Sequence, residues 1–91
     1  MSYDAQSVRA TSDSALRALL IEIWTDALEK PVTDPEATFF DNDGDSMGAT
    51  IVIISIQERL QVEITIEEFF DDPSVPGLMR AVRASAARSA A

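Results

Sequence analysis

Apolar residues recur at helical spacing through most of this chain, and one long polar stretch interrupts them. Leu16, Leu20, Ile23, Trp24 and Ala27 share one face, with Glu22, Asp26 and Glu29 on the other, which predicts an amphipathic helix beginning near Ser12 or Asp13. Leu19 and Leu28 widen the stripe, and Trp24 is expected in the core. Residues 46–60 give a mixed signal. The β-branched run Ile51-Val52-Ile53-Ile54 favours a buried strand by propensity alone. Ala49, Val52, Ile53, Ile56 and Leu60 nevertheless fall at i, i+3, i+4, i+7 and i+11, and Asp45 is a capping residue, so the pattern predicts a helix. Met47, Ile51 and Ile54 then lie off the core stripe, with Glu58 at the far end of their face. An apolar line of this kind is expected to be a partner surface.

Further along, Val62 and Ile64 alternate with polar residues in a short connection. Thr65-Ile66-Glu67-Glu68 has the spacing of a capping box and Phe69-Phe70 follows, predicting a short helix that ends by Asp72, ahead of Pro73. Ser74 can cap a last helix with Pro76 in its first turn; Val75, Leu78, Met79 and Val82 form its inner face, and Arg80 and Arg83 are expected to look outward. Residues 1–12 read as a flexible N-terminal extension, 13–84 as one domain, and 85–91 as a flexible tail that frays or prolongs the last helix without packing. The fold expected is all-α: a small four-helix bundle, three longer helices and one short, with a long loop between the first two.

That loop, residues 29–45, holds Pro31, Pro35 and Gly44 among acids, and long loops in small domains tend to be functional. Phe39 and Phe40, with Val32, are its expected anchors. Gly44 is expected to bend the chain at positive φ, Asp45 to cap the next helix, and Ser46 to stand on its first turn. A phosphate ester on Ser46 would face the free N–H groups and the positive end of the helix; the alternative is a serine that merely caps. Asp41, Asp43 and Asp45 alternate like the opening of a calcium loop, but a loop starting at Asp41 needs glycine and glutamate where Ser46 and Val52 stand.

Composition narrows the function. Ninety-one residues, 46% hydrophobic, allow one core. With no cysteine and no histidine, disulfides, thiolate sites and the commonest general base are excluded. A net charge of −9 argues against nucleic acid and anionic membranes. No apolar run reaches the ~20 residues that span a bilayer and no secretory signature opens the chain, so a cytoplasmic protein is expected. The acids surround the loop and the bases gather at the end: residues 73–91 hold three arginines and no acid. Such a field either solvates the surface or steers basic partners to the loop.

Phe39-Phe40-Asp41-x-x-Gly44-Asp45-Ser46-Met47 resembles the attachment motif of acyl and peptidyl carrier proteins. The resemblance extends to Ile21-Glu22-Ile23-Trp24 upstream and to Val62–Phe70 and Pro73-Ser74-Val75 downstream, roughly residues 14–84. Ile51 and Ile54, where fatty acid carriers are acidic, make it closer to free-standing peptidyl carriers of nonribosomal peptide synthesis. One departure stands out. Peptidyl carriers usually read Leu-Gly-Gly before the acidic or histidine position, and this chain has Asn42-Asp43-Gly44, which is expected to remove an apolar loop anchor and stiffen the turn.

The resemblance implies an acyl-carrier-type bundle, a non-catalytic role, and a 4′-phosphopantetheine arm on Ser46 whose thiol holds an aminoacyl, peptidyl or acyl group as a thioester. Gly44 would give the turn, and Asp45 would present the serine near a transferase's metal. Met47, Ile51, Ile54 and Glu58 would dock partners. Those partners would be a phosphopantetheinyl transferase, an adenylation or acyl-loading enzyme, and downstream condensation, tailoring or thioesterase enzymes, meeting a monomeric carrier. An acyl carrier of a polyketide or fatty acid pathway is the alternative; a helical adaptor or calcium-responsive module is more remote.

Overall fold

The computed structural model describes Val8 and residues 10–89. From Asp13 onward the described residues form four helices in succession: α1 (Asp13–Leu28), α2 (Ser46–Leu60), α3 (Ile66–Asp71) and α4 (Val75–Ser89). Each start is the one its local sequence encodes. Ser12 accepts a hydrogen bond from the Ala15 amide at 3.2 Å to open α1. Thr65 and Glu68 form the reciprocal capping box of α3, with both bonds at 3.0 Å. Glu29 and Gln61 close α1 and α2 in the left-handed region, each at φ 58°. No strand occurs among the described residues; Thr38 and Ser74 form an isolated bridge.

α1 packs against α2 and α4, and the short α3 sits between α2 and α4. The core draws Leu16, Leu20, Ile23 and Trp24 from α1, Ala49, Val52, Ile56 and Leu60 from α2, Phe69 from α3, and Leu78 and Val82 from α4. The β-branched run in α2 is thus helical, as the spacing of its neighbours predicts. Only every third or fourth residue points inward: Val52 and Ile56 are wholly buried, while Ile51 and Ile54 remain 43% and 48% exposed. Val62 and Ile64 bury the connection to α3. Among the described residues, no helix is long and apolar enough to cross a membrane.

The two ends depart from expectation. Of the extension expected over residues 1–12, most lies outside the described residues, but Val8 is fully buried in the core. Arg83, expected to look outward, reaches back to it. Its guanidinium donates to the Val8 carbonyl at 3.2 Å and the Thr11 carbonyl at 2.8 Å, and it pairs with Asp13 at 2.7 Å. At the other end α4 continues to Ser89, one of the two outcomes expected, but Ser85 and Ala86 are buried where no packing was expected from residue 85. The Ser85 hydroxyl donates to the Glu63 carbonyl, which ties α4 to the α2–α3 connection. Val8 meets the bundle from a separate segment and shows no periodic signal of its own, whereas Ser85 and Ala86 continue the helical spacing of Leu78 and Val82 with side chains too small to read as a packing face.

Candidate functional site

The loop between α1 and α2 is held from beneath by aromatic packing. Phe39 is fully buried, edge-on to Trp24 at 5.2 Å and to Phe69 at 5.7 Å between ring centroids. Half-buried Phe40 stacks on exposed Phe70 at 5.4 Å, tying the loop to α3. The backbone joins in: the Phe39 amide donates to the Pro73 carbonyl at 2.7 Å, just ahead of α4.

After Phe39 the chain folds back on itself. The Phe39 carbonyl accepts from the amides of Asn42 at 3.2 Å and Gly44 at 3.0 Å. Gly44 does not supply the expected positive φ; Asp43 does, at 71°, and its carboxylate pairs with Lys30 across the loop. Gly44 is required for closeness instead. A Cβ there would overlap the Phe39 ring and lie 2.7 Å from the Phe39 carbonyl oxygen. The turn therefore lies flat against the aromatic ring, and a side chain would lift it away.

Asn42 corrects a second expectation. In place of a lost apolar anchor stands a polar one, 2% exposed. Its side-chain oxygen accepts from the Thr33 amide at 3.1 Å, the Thr33 hydroxyl at 2.9 Å and the Asp34 amide at 3.1 Å. Its amide group donates to the carbonyls of Asp34 and Thr38, both at 2.9 Å. Donors and acceptors are matched, so the burial is compensated. Sequence reasoning missed this residue because an asparagine in a polar loop looks solvated; its alignment with an apolar family position was the available signal.

The loop delivers the start of α2. Asp45 is the N-cap, extended at φ −125° and ψ −178°, and its carboxylate accepts from the Gly48 amide at 2.8 Å while its carbonyl accepts from the Ala49 amide at 2.9 Å. Ser46 is the first helical residue and is exposed. Among the described residues no partner engages its hydroxyl, and the amides of Ser46 and Met47 likewise have no protein acceptor, as the first turn of a helix allows. Ser46 therefore does not cap; Asp45 does. The calcium-like carboxylates are divided among separate tasks: Asp41 exchanges bonds with Thr38, Asp43 pairs with Lys30, and Asp45 caps.

Around the serine the surface is open. Met47 is 75% exposed, and Ile51 and Ile54 continue down the same outward face toward exposed Glu58. A recess of about 190 Å³ beside them, bordered by Leu28, Asp43, Met47 and Ile51, is smaller than the roughly 300 Å³ at which sites enclosing a small molecule begin. The arrangement suits a group joined to the surface, not one swallowed by it. A phosphoester on Ser46 fits these residues: the hydroxyl is free, two unsatisfied amides stand beside it, and no side chain covers it.

The family model described as "phosphopantetheine attachment site" matches residues 18–82. Pyochelin synthetase PchE of Pseudomonas aeruginosa is 38% identical over 65 residues, 71% of this chain and 4% of that protein. Nonribosomal peptide synthetase asaC of Aspergillus flavus is 29% identical over 85 residues, 93% of this chain and 8% of the relative. Tyrocidine synthase 3 of Brevibacillus parabrevis is 31% identical over 71 residues, 78% of this chain and 1% of the relative. The chain thus spans less than a tenth of the length of each of these relatives. A bundle of carrier type and a family match that runs from α1 into α4 agree: this chain belongs to the phosphopantetheine-attachment family, whose domains bear a covalent 4′-phosphopantetheine.

Proposed function

We propose that Ser46 is the attachment residue and that the chain is a peptidyl carrier of nonribosomal peptide synthesis, working in the cytoplasm as a monomer. The observation that carries this is the free, exposed Ser46 hydroxyl at the open start of α2, where Asp45 has taken over the capping role a serine could have filled. In the attachment step the Ser46 oxygen forms a phosphoester bond as the phosphoanhydride of coenzyme A breaks. The adenosine bisphosphate departs and the serine proton passes to solvent or to a base of the transferase. The chain's own part is to hold that oxygen outside the bundle, with Asp45 and the flat turn at Gly44 fixing where it stands. Once attached, the arm supplies a thiol that bears an aminoacyl or peptidyl group as a thioester and presents it at high effective concentration.

Met47, Ile51 and Ile54, with Glu58 at the far end, form the face on which the transferase, the adenylation enzyme and the condensation or thioesterase enzymes dock. Their exposure supports this role, since an apolar line next to a reactive group is costly to leave without a partner. The similarity to a nonribosomal peptide synthetase over nearly the whole chain supports the peptidyl pathway. Intact mass of the protein purified from its native host tests the assignment. An arm bearing an aminoacyl or peptidyl group is the expected result; a fatty acyl or polyketide group would overturn the pathway while leaving the carrier role in place.

A further inference from the structure

We infer that Asn42 is a positioning residue for modification of Ser46: its buried amide holds the turn that presents the serine in the geometry a transferase accepts. The inference rests on Ser46 being the attachment residue and adds a condition on how it is presented.

Asn42 is the point at which two otherwise separate stretches of the loop are joined. Residues 33–34 come from the beginning of the loop, and Thr38 and Phe39 begin the turn that ends at Asp45. One side chain bonds to both, through five hydrogen bonds, and its backbone amide adds bonds to the Thr38 and Phe39 carbonyls at 3.2 Å each. Only Asp43 and Gly44 separate this junction from the cap of α2. Asp43 is in the left-handed region, and Gly44 lies flat on Phe39. Displacement at Asn42 therefore passes along a short, conformationally restricted path to Asp45 and Ser46.

The energetics favour local loosening over global unfolding. Thr33 and Asp34 are exposed, so their amides can turn to water if Asn42 is lost. The asparagine side chain makes no hydrogen bond to Phe39, Trp24 or the helix core; its partners are Thr33, Asp34 and Thr38. Its loss would therefore lower the fraction of molecules that present Ser46 correctly and leave the bundle folded. An enzyme that accepts only the presented form then sees a weaker apparent affinity, reduced by that fraction, with turnover unchanged once the loop is seated.

The test uses the full chain in its unmodified form, coenzyme A, Mg²⁺ and a broad-specificity phosphopantetheinyl transferase, at a temperature where circular dichroism shows every variant folded. Asn42→Ala is expected to raise the KM for the carrier about tenfold with kcat unchanged, and to speed amide hydrogen exchange at residues 43–47 but not in α1 or α4. Thr33→Val, an exposed change that removes one of the five bonds, is expected to shift both readouts in the same direction by about twofold. It should add nothing in the Asn42→Ala background, where its partner is gone. Thr33→Val carries the test alone if Asn42→Ala does not fold. An unchanged KM, or a raised KM without faster exchange at residues 43–47, overturns the positioning role. A wild type that is never modified, or a Ser46→Ala variant that still is, overturns the attachment assignment instead.

Discussion

The starts of α2 and α4 are built alike and differ in what they expose. In each, a capping side chain accepts from the amide of a glycine three residues on: Asp45 from Gly48 at 2.8 Å, Ser74 from Gly77 at 3.1 Å. In each, the carbonyl of the capping residue accepts from the next amide at 2.9 Å, Ala49 in one case and Leu78 in the other. The difference lies between cap and glycine. α4 places Val75, fully buried, and Pro76, which has no N–H to leave unsatisfied, so its first turn is closed. α2 places Ser46 and Met47, both exposed, with their amides free. A helix start by itself therefore says nothing about function here. Two residues make one start part of the packing and leave the other exposed.

The largest effect expected on either start is at the ring under α2. Phe39→Ala removes the surface on which Gly44 and Gly48 rest and should cost about 3–5 kcal/mol in chemical denaturation. Glycine replacement should then separate the two starts. At Gly77 a Cβ would run into the Asp72 backbone oxygen, with Asp72 Cγ at 2.5 Å, so Gly77→Ala should cost about 1–3 kcal/mol. At Gly48 the nearest obstacle is the end of the Phe39 ring at 3.0 Å, and the gain in helix propensity, up to ~1 kcal/mol, offsets a small shift. Gly48→Ala should accordingly stay within about 1 kcal/mol of the wild type. Removing the exposed cap by Asp45→Ala should cost about 1 kcal/mol, and Ser74→Ala somewhat more, up to about 2 kcal/mol, because the buried Ser74 hydroxyl also donates to Asp72 at 2.8 Å. The smallest change in stability is expected at Ser46→Ala, within about 0.5 kcal/mol, because its hydroxyl has no partner to lose.

These same residues show what a sequence can disclose. Helical spacing places α1 and the inner face of α2 because each buried residue there is one of a repeating set. The box at Thr65 and Glu68 places α3 because both partners lie within four residues of each other. The place of Ser46 on the first turn of α2 was legible for a related reason: glycine, aspartate and serine at a loop–helix junction are a local arrangement. Features built from distant pairs were not legible. Gly44 reads as a residue for positive φ until the Phe39 ring is seen beneath it, and Asp43 takes that conformation instead. Asn42 reads as solvated until Thr33 and Asp34 arrive around it. Arg83 reads as an outward charge until Val8, 75 positions away, presents its carbonyl.

The proposed role of Ser46 stands on one difference between two similar helix starts, and site mapping of the attached group tests it. After incubation with coenzyme A, Mg²⁺ and a phosphopantetheinyl transferase, peptide mass spectrometry should find one phosphopantetheine on the peptide bearing Ser46 and none on that bearing Ser74. The folded Ser46→Ala variant should gain no mass at all. A phosphopantetheine on any other residue, or on the Ser46→Ala variant, would contradict it.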